Sequence, residues 1–241
     1  MALTQNLQRP IRDHRLYIWV AVLIPLIVFA GFARTYYLKG WFDGPPLPSL
    51  LVHVHGLVMT AWVLLFVTQV GLVARRRTRI HQRLGLVGGG LAALVVIVGI
   101  LTAIFAAARG SSPGPPPLVF LVIPLGDMLV FAILIGLALY YRRRLEVHKR
   151  LMLLASLSLL VAAIARIPFR FIEANGPLAF FGLTNLCILA FVAGDTLRQR
   201  RLHPVFIWGT LFIIASQPLR MLLATTDAWT RFASSLVGLV N

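Results

Sequence analysis

Ionisable or amide side chains stand inside otherwise apolar stretches, among them Arg34, His53, His55, Asp127, Arg166, Arg170, Glu173, Asn185, Gln217 and Arg220. Such groups are costly at membrane depth and are commonly functional when they occur there. Arginine presents a planar fork of donors that matches carboxylate and phosphate oxygens. The chemistry this set suits is reception of an anionic or polar ligand. The same set also suits a network of buried ion pairs and hydrogen bonds tying helices together. Asp127 is read as the one acid deep in a span, with Arg34, Arg166 or Arg220 as its candidate partner. His53 and His55 lie two residues apart, about 200° around a helix, so both face one ligand only if that turn is irregular. No carboxylate lies near them in sequence, and a zinc hydrolase would need three convergent ligands.

The elements that must position these groups follow from composition. Of 241 residues, 59% are apolar and only 12% charged, far from the ~45–50% and ~25% of soluble domains. The chain reads as an all-α polytopic membrane protein, a single transmembrane domain over 1–241. A helix needs roughly 20 apolar residues to cross the hydrocarbon core. Seven windows qualify: about 16–38, 50–73, 84–108, 118–140, 151–172, 178–197 and 204–224. The fifth is the weakest, since only Leu151 to Ala165 are free of charge; it spans if Arg166 snorkels to the interface. On this reading Arg166, Arg170 and Glu173, at i, i+4 and i+7, share one helix face. Asp127 would lie about 13 Å and Asn185 about 10 Å below the outer ends of their spans. Pro25, Pro124 and Pro218 lie inside spans and permit kinks. Gly85, Gly88, Gly89 and Gly90 suit close helix packing. The segment 226–241 carries Trp229, Phe232, Leu236 and Leu239 at helical spacing, as an amphipathic helix on the outer surface does.

Sixteen of the 23 basic residues fall at the N-terminus (Arg9, Arg12, Arg15) and in the 2–3, 4–5 and 6–7 turns. Those clusters share one side, which the positive-inside rule makes cytoplasmic. The N-terminus is therefore expected inside and the C-terminus outside, in a bacterial inner membrane. The first apolar run is too long for a signal h-region and is read as a retained anchor. A net charge of +16 does not imply nucleic acid, because the charge sits in short turns; membrane lipids are the expected partners. One cysteine, Cys187, excludes an intramolecular disulfide.

The 2–3 and 4–5 turns share the pattern RRR-x3-H-x-R-L, ending on His81-Gln82-Arg83-Leu84 and on His148-Lys149-Arg150-Leu151. This suggests a helical hairpin repeated in parallel about an axis along the membrane normal. These histidines suit headgroup-depth anchors; alternatively, His81 and His148 are axial ligands of a haem.

The stretch His148-Lys149-Arg150-Leu151-Met152, after an arginine run, resembles a motif of small bacterial multipass proteins linked to haem–copper oxidase assembly. The wider chain is similar to uncharacterised bacterial seven-span proteins through His53-Val54-His55-Gly56, His81 to Gly85 and Ser216 to Arg220. The first resemblance implies an accessory or assembly role beside a respiratory or other membrane complex. The second implies the seven-span fold and no activity. The functional expectation is an accessory or assembly protein holding a small polar, lipidic or cofactor ligand in the outer-leaflet site, with a b-type haem redox protein as the alternative.

Overall fold

A computed structural model describes residues 14–44, 46–112 and 115–240. Arg9, Arg12 and Asn241, which entered the reading of the termini, lie outside the described residues. The described residues are helical, without a strand, and seven helices are long and apolar enough to cross a membrane. These are α1 (His14–Phe32), α2 (Leu50–Ala74), α3 (Thr78–Ala108), α4 (Val122–Tyr140), α5 (Leu145–Ser158, continued by Leu160–Ile164), α6 (Arg170–Gln199) and α7 (Pro204–Ala224). An eighth, α8 (Asp227–Gly238), is short and amphipathic, as the spacing of Trp229 and Phe232 predicts.

Local chemistry sets the boundaries. The arginine-rich turns are tight, and Arg76 and Arg200 take left-handed backbone at φ 58° and 52°. Pro204 occupies the first turn of α7, where its missing N–H is not needed. The His203 ring caps that helix, Nδ1 accepting from Val205 N at 3.2 Å. Thr226 caps α8 in the same way, its hydroxyl accepting from Trp229 N at 3.1 Å. Pro124 cannot donate to the Phe120 carbonyl, and the helical turn Pro117–Phe120 is broken from α4 at Leu121. Pro124 therefore marks where the span restarts and lies in the first turn of α4.

The fifth span differs from its expected bounds. It begins at Leu145, inside the charged run, and ends at Ile164. The next residues, 165–169, leave the helix, and Phe169 is extended at φ −103°, ψ 127°. Pro168 accounts for this, because proline lacks a donor and disfavours helical backbone in the residue before it. Arg166 consequently lies in the connection, while Arg170 and Glu173 belong to the first turn of α6. They do not share a helix face. Gly176, at φ 50° and ψ −126°, and Pro177 then kink α6 where the sequence signals a turn.

Two thirds of the apolar window of α5 (67%) is buried within the protein, against 17% for α2, which makes α5 the central helix. Leu154, Phe131, Ile188 and Phe206 are fully enclosed around it. Trp62 of α2 meets Phe131 of α4 edge-on at 5.1 Å. Gly31 of α1 lies against the Ala163 carbonyl, an approach any side chain would prevent. The helix α8 is pinned by Trp229, whose Nε1 donates to the Leu118 carbonyl at 2.8 Å.

Candidate functional site

The basic turns lie at one end of the bundle, the basic end. The candidate residues lie towards the other, the far end, where the structure sorts them into two groups. The first group is closed upon itself. Arg220 of α7 donates through Nη1 to Asp127 Oδ1 of α4 at 2.5 Å and to the Ile123 carbonyl at 3.1 Å. Its Nε donates to the Ser216 carbonyl at 3.1 Å, and Nη2 to the Ser216 hydroxyl at 3.0 Å. The guanidinium also lies over the Phe181 ring of α6, 5.3 Å from its centroid. Gly126 makes room, since a Cβ there would collide with the Arg220 stem. About one helical turn away, Gln217 and Asn185 exchange two amide hydrogen bonds at 2.8 and 2.9 Å. Of the three candidate partners for Asp127, it is Arg220 that pairs with it. Asp127, Arg220 and Gln217 are buried, and this group behaves as a clasp between α4, α6 and α7.

The second group, on α1, α2 and the α5–α6 connection, is open. Arg34 sits on a π-helical turn, Ala33–Tyr37, that extends α1, and its guanidinium lies over Phe42 at 5.5 Å. Arg166 lies over Phe32 at 4.9 Å and donates to the Ala162 carbonyl at 2.8 Å. It stands within electrostatic reach of His55. His55 Nδ1 is buried and finds no hydrogen-bond partner among the described residues. His53 is exposed; its carbonyl accepts from Tyr36. Arg170 and Glu173 are exposed as well. Among the described residues no carboxylate pairs with Arg34, Arg166 or Arg170.

At the basic end the structure reveals a cluster that the sequence reading passes over. Arg150, treated there as a turn cation, is buried. Its Nε and Nη2 donate to Asp195 Oδ2 of α6 at 3.3 and 2.8 Å. Its Nη1 donates to Glu146 Oε2 at 2.5 Å, and Lys149 Nζ donates to Glu146 Oε1 at 2.8 Å. Asp195 is therefore a second buried acid besides Asp127, four residues from the end of α6. The signal was present in Asp195 itself, an acid within the apolar sixth window. Burial, and next the nearby Arg150, hold the His203 imidazole below its ordinary pKa.

His81 and His148 stand within electrostatic reach of each other. His148 Nδ1 donates to the Ala138 carbonyl at 2.8 Å, which leaves Nε2 with its lone pair. His81 Nδ1 is buried with no hydrogen-bond partner among the described residues. No group of three or more His, Cys, Asp or Glu that could hold a metal ion occurs among the described residues.

Neither a protein-family model, nor a curated protein, nor a solved structure matches the chain.

Proposed function

We propose that this chain is an accessory or assembly protein of a bacterial inner-membrane complex, non-enzymatic, with its N-terminus in the cytoplasm. In this reading it holds an anionic small polar, lipidic or cofactor ligand at the outer leaflet. The basic turns support the orientation through the positive-inside rule, and the repeated RRR-x3-H-x-R-L turns support an origin from related hairpins. One observation carries the ligand: Arg166, within electrostatic reach of His55, has no carboxylate paired to it among the described residues. A guanidinium without a carboxylate partner, within electrostatic reach of an imidazole, favours an anion nearby. The Asp127–Arg220 clasp is then the scaffold that fixes the helices around the ligand rather than part of the receptor. The test is purification in mild detergent, followed by mass spectrometry of co-purifying small molecules. An anionic compound retained by the wild-type chain and lost from Arg166→Gln is the expected result. Identical small-molecule content in both would overturn the reading.

The second reading, a b-type haem protein, is favoured by His148, whose Nδ1–H is engaged by a backbone carbonyl as in many metal-ligating histidines. Together with His81 it would supply the axial ligands. An absorption spectrum after haem-replete expression decides it: a Soret band that His148→Ala removes is expected, and its absence removes this alternative.

A further inference from the structure

Between α5, α6 and α7 at the basic end lies a cleft of about 360 Å³, lined by Glu146, Arg150, Gln199, Arg201 and His203. Its floor is compensated, because Asp195 accepts two hydrogen bonds from Arg150. Its wall is not. Glu146 is more than half exposed (57%), and its carboxylate bridges Lys149 at 2.8 Å and Arg150 at 2.5 Å. Arg201, also lining the cleft, is exposed. Because His203 Nδ1 accepts from Val205 N, the ring's hydrogen is on Nε2, so this residue brings a donor to the cleft. Lys149, Arg150 and Arg201 give three cations against two carboxylates, Glu146 and Asp195. A net positive charge is left after the internal pairs are made.

The geometry points to a phosphate-binding site in this cleft, with the Glu146 carboxylate as a tethered occupant that a phosphate group displaces from Lys149 and Arg150. Arg201 and His203 Nε2–H then serve the remaining oxygens. A phosphate suits the arrangement better than a carboxylate, because donors come both from α5 and from the α6–α7 connection and a tetrahedral group offers acceptors to each. The arginine fork of Arg150 is held in place by Asp195, so it needs no reordering when the anion exchanges. The phosphate of an anionic lipid headgroup and free inorganic phosphate share this chemistry. The site is separate from the far-end group and stands whether or not a ligand is found there.

Two variants acting in opposite directions test it. Arg201→Gln removes a rim cation and Glu146→Gln removes the competing carboxylate, while both leave Arg150–Asp195 intact. Calorimetric titration of the purified chain with inorganic phosphate forms one arm. Native mass spectrometry from phosphatidylcholine nanodiscs with and without phosphatidylglycerol forms the other. The expected result is binding in at least one arm, weakened about tenfold by Arg201→Gln and strengthened by Glu146→Gln, a pattern misfolding cannot produce. Phosphate binding assigns the free anion, and selective phosphatidylglycerol retention assigns the headgroup. Binding of neither by the wild-type chain, or binding unaffected by both variants, would overturn the proposal.

Discussion

Arg220 of α7 donates to Asp127 and to three other acceptors at once, tying α7 to α4. A buried ion pair of this kind is costly to break and inexpensive to replace, because losing one partner leaves a bare charge. Arg220→Leu or Asp127→Leu alone should each lower stability by about 3–5 kcal/mol. The double variant should recover most of that loss. Unfolding curves in detergent for the four chains of this cycle check it, and additive losses would show that the two groups do not act as a pair.

The Asn185–Gln217 exchange joins α6 to α7 with two neutral hydrogen bonds. Polar contacts between membrane helices average about 0.6 kcal/mol each. Gln217→Leu should therefore cost roughly 1–2 kcal/mol, clearly less than Arg220→Leu, in the same unfolding measurement.

Gly126 and Gly136 lie on the same helix with opposite surroundings. A Cβ at Gly126 meets the Arg220 stem, whereas at Gly136 nothing lies within 4 Å. Gly126→Ala should destabilise by about 1–3 kcal/mol through overpacking. Gly136→Ala should be neutral or stabilising by up to about 1 kcal/mol through helix propensity. Equal effects at the two positions would show that Gly126 is not the seat of the arginine.

The cap on α7 depends on an uncharged His203. Burial lowers its pKa from the ordinary 6.5, with Arg150 and then Arg201 adding to the effect while Glu146 and Asp195 oppose it. Below pH 6.5 the unfolded chain binds the proton more readily than the folded one, so this contribution to stability is complete above 6.5 and declines as the pH falls. His203→Asn keeps a capping oxygen without a titrating ring. Between pH 7.5 and 5.5 the wild-type chain should lose more stability than this variant; parallel pH profiles would contradict the assignment.

The seven spans were legible because hydrocarbon thickness and charge-free run length are properties of sequence alone. The fifth was placed too late because Glu146, Lys149 and Arg150 looked like a turn. The burial of Arg150 depends on Asp195, 45 residues further along the chain, and sequence spacing does not reveal such a partner. The far-end residues were recognisable by type, but not their division into a closed clasp and an open group. Asp127 had three candidate arginines, and only the packing of α4 against α7 selects Arg220. The break after Ile164 is signalled by Pro168, which outweighs the helical spacing of Arg166, Arg170 and Glu173 and leaves Arg166 in the connection.

Both buried ion pairs join residues of α4 and α5 to residues of α6 and α7: Asp127 to Arg220, and Arg150 to Asp195. During synthesis the earlier helices enter the bilayer first, carrying an acid and a base whose partners have not yet been made. A ribosome paused after α5 would expose two half-finished electrostatic latches, so truncated chains should be marked for membrane proteases while full-length ones escape.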